Sequence, residues 1–145
     1  MNSSLGYKLL KTLYKFLNGS TLTTPNVRNT ELIKFNGSTK LINSGQYNLI
    51  VNGSATLGSP GHKTSFKGLI VVNGSAKTNN ASFDALELNG NGNLKNTEVR
   101  STLHVNGNAT LKGCNINSLI TYGNHTKIEL TDSVIQKKEH IQETQ

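Results

Sequence analysis

One short phrase recurs along this chain and limits what the chain can fold into. Its clearest copy, LIVNGSATL at residues 49–57, combines alternating apolar residues, an Asn-Gly pair, two small residues and a closing leucine. Further copies lie at residues 33–41, 70–76, 86–94 and 103–111, with looser ones around Gly19 and Gly123. The glycines of the seven copies stand 18, 16, 21, 16, 17 and 16 residues apart. Such self-similarity at a short period is typical of a solenoid, in which each repeat forms one coil.

The pattern inside each copy predicts β-strands. Counted from the glycine, apolar residues lie at −4 and −2, a small or apolar residue at +2 and usually leucine at +4, which is the period of two of a half-buried strand. A further apolar residue follows later in each copy, for example Phe66 or Phe83. We therefore predict an all-β fold over residues 18–135, a single-stranded parallel β-helix solenoid of about six or seven coils. Right-handed winding is the default for parallel crossovers.

Asn-Gly between apolar residues is also the usual hairpin signal, so an antiparallel meander is the main alternative. A meander would need a second recurrent turn in each repeat, and none recurs as firmly, which favours the solenoid. In the solenoid, glycine would supply a positive φ at a corner, asparagine would tolerate the left-handed region, and equivalent asparagines would stack and hydrogen-bond. Residues 58–64, the longest variable segment, contain turn formers and are predicted to loop out on the surface.

Both ends of the chain differ from the repeat. Over residues 1–17, apolar residues at three- and four-residue steps predict an amphipathic helix with lysines largely on its other side. Three roles are open for this helix: a cap on the solenoid, a membrane-surface anchor through residues 5–17, or a leader peptide. Residues 136–145 are polar and are expected to form a frayed tail or a small cap. The apolar side of the helix consists of Leu9, Leu10, Leu13, Phe16 and Leu17.

Composition narrows the classes of function. Only 34% of the residues are apolar and 6% aromatic, which suits a thin solenoid core. The net charge of +7 is spread along the chain, which indicates a solvated surface or a diffuse attraction to acidic polymers or anionic lipid. Aromatic residues are too few for base stacking, so no specific nucleic-acid binding is expected. The lone Cys114 occupies a repeat position held elsewhere by Ala81 and Thr97 and is expected to be a small buried residue.

Residues for catalysis or metal binding do not converge in the pattern. The histidines fall at different repeat offsets and are expected to face solvent, and no carboxylate recurs at an equivalent offset in adjacent coils. We therefore expect no enzymatic activity, no cofactor and no metal site. The histidines are His62, His104, His125 and His140, and the carboxylates of the repeat are Asp84, Glu87, Glu98, Glu129 and Asp132.

With its L-x-V-N-G-S-A-x-L sequence pattern, the repeat over residues 30–135 resembles the bactofilins, which are polymer-forming bacterial cytoskeletal proteins. The resemblance implies a short right-handed β-helix with flexible terminal segments. It further implies end-to-end assembly into nonpolar filaments without a nucleotide, and contact with a membrane through a short N-terminal stretch. Residues 5–17 occupy the place of that stretch. The expected location is cytoplasmic with association to a membrane surface, and a periplasmic or secreted location stays open.

Two functions follow from the pattern. In the first, the protein is a structural scaffold that self-assembles through its coil ends, because an open coil end exposes unpaired backbone groups. In the second, a monomeric or dimeric rod holds polysaccharide or another partner on an Asn/Ser/Thr-rich face. The residues expected at the assembly interface are Phe35 and Leu41 near one end and Leu119, Ile128 and Leu130 near the other.

Overall fold

The structure, a computed structural model, describes residues 14–18, 32–42 and 44–142, and the regular elements in these ranges are all β-strands. They pair in the order β1-β2-β3-β4-β5-β6-β7-β9, with β8 also on β6, and all pairs are parallel. The chain therefore winds into a β-solenoid of about six turns, as predicted, and not into a meander. The strands are β1 Tyr14–Asn18, β2 Leu32–Leu41, β3 Gly45–Gly58, β4 Thr64–Asn79, β5 Ala81–Lys95, β6 Glu98–Lys112, β7 Asn115–Tyr122, β8 Lys127–Thr131 and β9 Val134–Ile141.

Each coil has three faces, which strand β4 illustrates. Positive φ angles at Gly68, Gly74 and Asn80 mark its bends. We call residues 69–72 and their equivalents the first face, 75–79 the second face and 64–66 the third face. The corner at Asn73-Gly74 is the first corner, that at Asn80 the second and that at Lys67-Gly68 the third. The second and third corners differ in length between coils, which explains the uneven spacing of the repeat.

The first corner needs glycine because the backbones of adjacent coils touch there. Gly53, Gly74, Gly90 and Gly107 have φ between 140° and 144°. A Cβ on any of them would lie 2.1 to 2.3 Å from the carbonyl oxygen of the equivalent glycine one coil earlier. The predicted positive φ is therefore confirmed, and the close approach is an additional reason for glycine.

The asparagines before these glycines form a ladder of side-chain amides. Asn52 Nδ2 donates to Asn36 Oδ1 at 3.0 Å, Asn73 to Asn52 at 2.9 Å, and Asn89 to Asn73 at 2.8 Å. The predicted stacking is confirmed. The expectation that these asparagines adopt the left-handed region is wrong, because the non-glycine residues with positive φ in the described part of the chain lie elsewhere. Their role is the amide ladder.

The second corner is a recurrent bend that the repeat pattern did not reveal. One residue per coil adopts the left-handed conformation there, with φ of 55°, 49°, 64° and 50° in four successive coils. Its identity changes between coils, but each residue type tolerates this conformation. The residues are Asn80, Asn96, Gly113 and Asp132. Between β3 and β4 the single corner residue is replaced by residues 59–63, which we call the excursion.

The core is a column of inward side chains in register. Leu49, Ile70, Leu86, Leu103 and Leu119 follow one another up the first face, and all are buried. On the third face the rings of Phe66 and Phe83 stack with centroids 5.0 Å apart. Cys114 is buried above Thr97, which confirms its expected setting. Burial raises the pKa of its thiol against the lowering effect of nearby hydrogen bonds.

Two terminal boundaries were predicted wrongly. Residues 14–17, expected in the amphipathic helix, belong to strand β1, so Phe16 and Leu17 are in a strand. Leu9, Leu10 and Leu13 lie outside the described residues, and the helix over them stays a prediction. At the other end, residues 136–141 are not a tail but part of β9, which pairs with β7 as far as Ile141. The outer edge of β7 offers backbone donors and acceptors whatever the side chains of its partner, so a polar strand can pair there.

Candidate assembly interface

The C-terminal coil leaves the solenoid open. It consists of β8 on the second face and β9 on the third and first faces. β8 pairs with β6, β9 pairs with β7, and no other strand of the described residues pairs with their outer edges. A row of backbone donors and acceptors at a strand edge is a template for a further strand.

The inward side chains of this coil cover the core and are themselves partly uncovered. Ile128, Leu130 and Ile135 lie in register above Ala109, Leu111 and Ile116, which are all buried. Leu130 is 44% exposed, whereas Ile128 and Ile135 are half-buried against the core. Exposed Lys138 and His140 occupy the next two inward positions, above Leu119 and Thr121. The end of the solenoid is therefore apolar on two faces and polar on the first face. We call Ile128, Leu130 and Ile135 the end surface.

Only part of the expected interface lies on the end surface. Leu119 is fully buried, because β9 adds a layer that the sequence did not reveal. Phe35 and Leu41 are also fully buried in the core. These three residues are therefore corrected from interface to core. Ile128 and Leu130 lie at the open end. Ile135, the last residue of the predicted solenoid, lies there with them.

The expectation of solvent-facing histidines is wrong for His104. Its ring stacks on Tyr122 with centroids 5.8 Å apart, and its Nδ1 lies 2.9 Å from the tyrosine hydroxyl. Burial lowers the pKa of His104 against the opposing charge of Glu87. Burial and the charges of Glu87 and Glu139 raise the pKa of the Tyr122 hydroxyl. The repeat pattern does not reveal this pair, because the two residues are 18 positions apart and meet only when their coils stack.

The other histidines lie apart from this pair. The ring of His62 contacts the Ile42 carbonyl at 3.2 Å, His140 contacts the Thr121 hydroxyl at 2.7 Å, and His125 is exposed. In the part of the chain that the structure describes, no three or more His, Cys, Asp or Glu side chains are grouped so as to hold a metal ion. The described ranges also contain no helix with the length and apolarity needed to cross a membrane.

A charged cluster joined by several hydrogen bonds surrounds the third corner. Arg100 donates to Asp84 Oδ1 through Nε at 2.9 Å and through Nη2 at 2.7 Å. Its Nη2 also lies 3.3 Å from the Phe66 carbonyl oxygen, and its Nη1 contacts the Ser82 hydroxyl. The Gly68 N–H donates to Asp84 at 3.2 Å. Burial would raise the pKa of Asp84, but the Arg100 hydrogen bond and the Gly68 N–H together lower it. Because these partners lie in three successive coils, the cluster ties the coils together.

Comparison of the chain with models of protein families, with curated proteins and with solved structures found no match. The geometry of the solenoid and its open end therefore carries the functional argument.

Proposed function

We propose that the protein is a structural scaffold, similar to the bactofilins, that self-assembles through the ends of its β-solenoid into oligomers or filaments without a nucleotide. The observation that carries the proposal is the C-terminal coil, where no described strand pairs with the outer edges of β8 and β9 and the side chain of Leu130 is exposed. A second copy placed on this end would continue the sheets and cover the apolar end surface.

Two physical terms favour such stacking. Each added strand would pair its backbone with an edge that is already held in the correct conformation, so little ordering entropy is lost. Burial of Ile128, Leu130 and Ile135 would add about 25 cal/mol for each Å² of apolar surface removed from water. Lys138 on the first face would limit which partner surfaces fit, since like charges repel across an interface.

The location and the membrane contact are part of the same proposal. A cytoplasmic scaffold that touches a membrane surface would do so through residues 5–17, which lie mostly outside the described residues. The scaffold needs no catalytic centre and no cofactor, since pairing of strand edges requires neither.

The test is the size distribution of the full chain, measured by sedimentation velocity and negative-stain electron microscopy over a range of protein and salt concentrations. We expect large species that grow with protein concentration. Leu130→Asp should shift the distribution to small species, because it places a charge in the covered surface. Small, discrete species of the unmodified chain at every concentration and salt would refute the proposal.

Thr131→Asp is the matched control. Thr131 is the next residue of β8, is exposed, and stands in register with the exposed Lys112 on the outer side of the second face. The substitution adds the same charge beside the end surface without placing it in the stack. We expect the control to assemble like the unmodified chain, and circular dichroism should show that both variants keep their β-structure.

A further inference from the structure

A groove runs beside the second face of the solenoid, away from the open end. It has a volume of about 410 Å³ and lies between the outer side of that face and the excursion, residues 59–63. Ser59 and Pro60 form the wall, and Lys40, Lys77 and Lys95 line the floor. We call this the lysine groove.

The wall of the groove is held in place by hydrogen bonds. Ser59 and His62 form a bridge across the excursion, and the Gly61 N–H donates to the Ser59 hydroxyl at 3.3 Å. The His62 ring contacts the Ile42 carbonyl at 3.2 Å, which ties the excursion to the previous coil. Since the wall is already fixed, a ligand would lose little freedom of the protein on binding.

The charge of the groove is positive and uncompensated. Lys40, Lys77 and Lys95 take part in none of the ion pairs found among the described residues, and no acidic side chain lines the groove. Lys40 and Lys77 occupy the same column, with Thr56 between them, so their rows are about 9.6 Å apart at two coil spacings. Lys95 lies one coil further along, and Lys112 continues its column.

The neutral lining combines the apolar side chains of Ile42 and Pro60 with polar groups that suit a hydroxylated ligand. Thr56, Asn79 and Asn93 lie between the lysines and offer hydroxyl and amide groups that both donate and accept hydrogen bonds. Among the described residues no aromatic side chain lines the groove, so these residues provide no stacking surface of the kind that single-stranded nucleic acids use. The raised wall makes the site concave, which does not fit a flat lipid surface.

We propose that the lysine groove binds an acidic polysaccharide, with the carboxylate groups of the ligand at the lysines and its hydroxyls at the threonine and asparagine side chains. The chain would lie along the rod and cross successive coils. This site is separate from the assembly proposal, because assembly through the coil ends leaves the second face accessible.

The test uses the full-length protein and a short oligogalacturonate as the probe, with binding measured by isothermal titration calorimetry. A dextran oligosaccharide of the same length and a short oligothymidylate are the comparison ligands. We expect the oligogalacturonate to bind at least about tenfold more tightly than either comparison ligand, and its affinity to fall as the salt concentration rises. Equal or tighter binding of the oligothymidylate would overturn the proposal in favour of a nucleic-acid site, and absence of oligogalacturonate binding would refute it.

Two substitutions separate a groove from diffuse attraction. Lys77→Gln with Lys95→Gln should weaken binding at least about tenfold, since hydrogen bonds to charged groups are among the stronger ones. Lys67→Gln with Lys137→Gln removes the same charge from exposed positions outside the groove and should weaken binding less than about threefold. Similar losses in the two double variants would overturn the proposal.

A loop replacement tests the wall. Replacing residues 59–63 with a single asparagine copies the second corner at Asn80 and Asn96, so this variant should fold. It keeps the three lysines of the floor but removes the wall, and it should bind the oligogalacturonate at least about fivefold more weakly. Lys63→Gln is its control, because the replacement also removes that lysine. Unchanged binding after the loop replacement, or an equal loss with Lys63→Gln, would overturn the groove as the site.

Discussion

The Gly90→Ala substitution tests how the first corner is packed. Gly90 has a φ of 140°, a conformation that residues with a Cβ rarely adopt, and its Cβ would lie 2.2 Å from the Gly74 oxygen. The added carbon must move by about 1.2 Å, the difference between 2.2 Å and the 3.4 Å at which ordinary contact begins. The clash is with the backbone of Gly74, so no side-chain rotation relieves it.

The expected cost combines two terms. Backbone strain at such a φ amounts to about 1 to 3 kcal/mol. Separating two coils at the corner weakens one or two neighbouring hydrogen bonds, each worth about 1 kcal/mol. We therefore expect the free energy of unfolding to fall by about 2 to 5 kcal/mol, a large part of the stability of a domain.

The assay is urea unfolding followed by circular dichroism, with Gly61→Ala as the control. Gly61 lies in the excursion, and its added Cβ would have only the Ser59 hydroxyl oxygen in range, at 3.8 Å. The control should change the free energy of unfolding by less than about 0.5 kcal/mol. A loss below about 1 kcal/mol for Gly90→Ala would refute the close packing of glycines at the first corner.

Substitutions at three further places test other interactions by the same unfolding measurement. Asn73→Ala removes two hydrogen bonds of the amide ladder and should lower the free energy of unfolding by about 1 to 2 kcal/mol. Asn108→Ala removes one long hydrogen bond of 3.4 Å and should lower it by less than about 0.5 kcal/mol. Equal losses in the two variants would contradict a stabilising role of the ladder. Thr39→Val should raise stability by about 1 kcal/mol, because the buried Thr39 hydroxyl has no hydrogen-bond partner among the described residues, and a loss of stability would show that another group pairs with it. The pKa of His104 is lowered from 6.5, so the unfolded chain takes up that proton first and stability should decrease as the pH falls through and below 6.5. His104→Gln should remove this component of the pH dependence, and an unchanged pH profile would refute it.

The part of the fold that the sequence predicts is the part that repeats in residue type. Leucines such as Leu57 and Leu111 recur at one offset from an Asn-Gly pair, so the strand period and the first corner could be recognised. The second corner was not predicted, because the backbone conformation recurs there while the residue type changes, as from Asn96 to Gly113. Strand β9 was not predicted beyond residue 135, because most of its side chains are exposed and pairing through the backbone leaves no apolar pattern in the sequence.

The candidate sites were predictable only where they coincide with the repeat. Ile128 and Leu130 were expected near an end, and strand pairing aligns them with the repeat positions Ala109 and Leu111, but the extra layer of β9 moved Leu119 into the core. The excursion was expected as a surface loop. Its attachment through His62 to Ile42 joins residues 20 positions apart, and that contact depends on how two coils stack.

The three corners have different consequences for how such a chain can change length. At the second corner, five residues in one coil occupy the position of one residue in the next coil, and the strands on either side stay in register. The third corner likewise has one residue in some coils and two in others. At the first corner, glycine backbones of adjacent coils touch, so an inserted residue would push two coils apart. Insertions and deletions should therefore accumulate in relatives at the second and third corners of the rod. At the first corner they should be confined to the terminal coil, where residues 122–126 already replace the Asn106-Gly107 pair of the coil below.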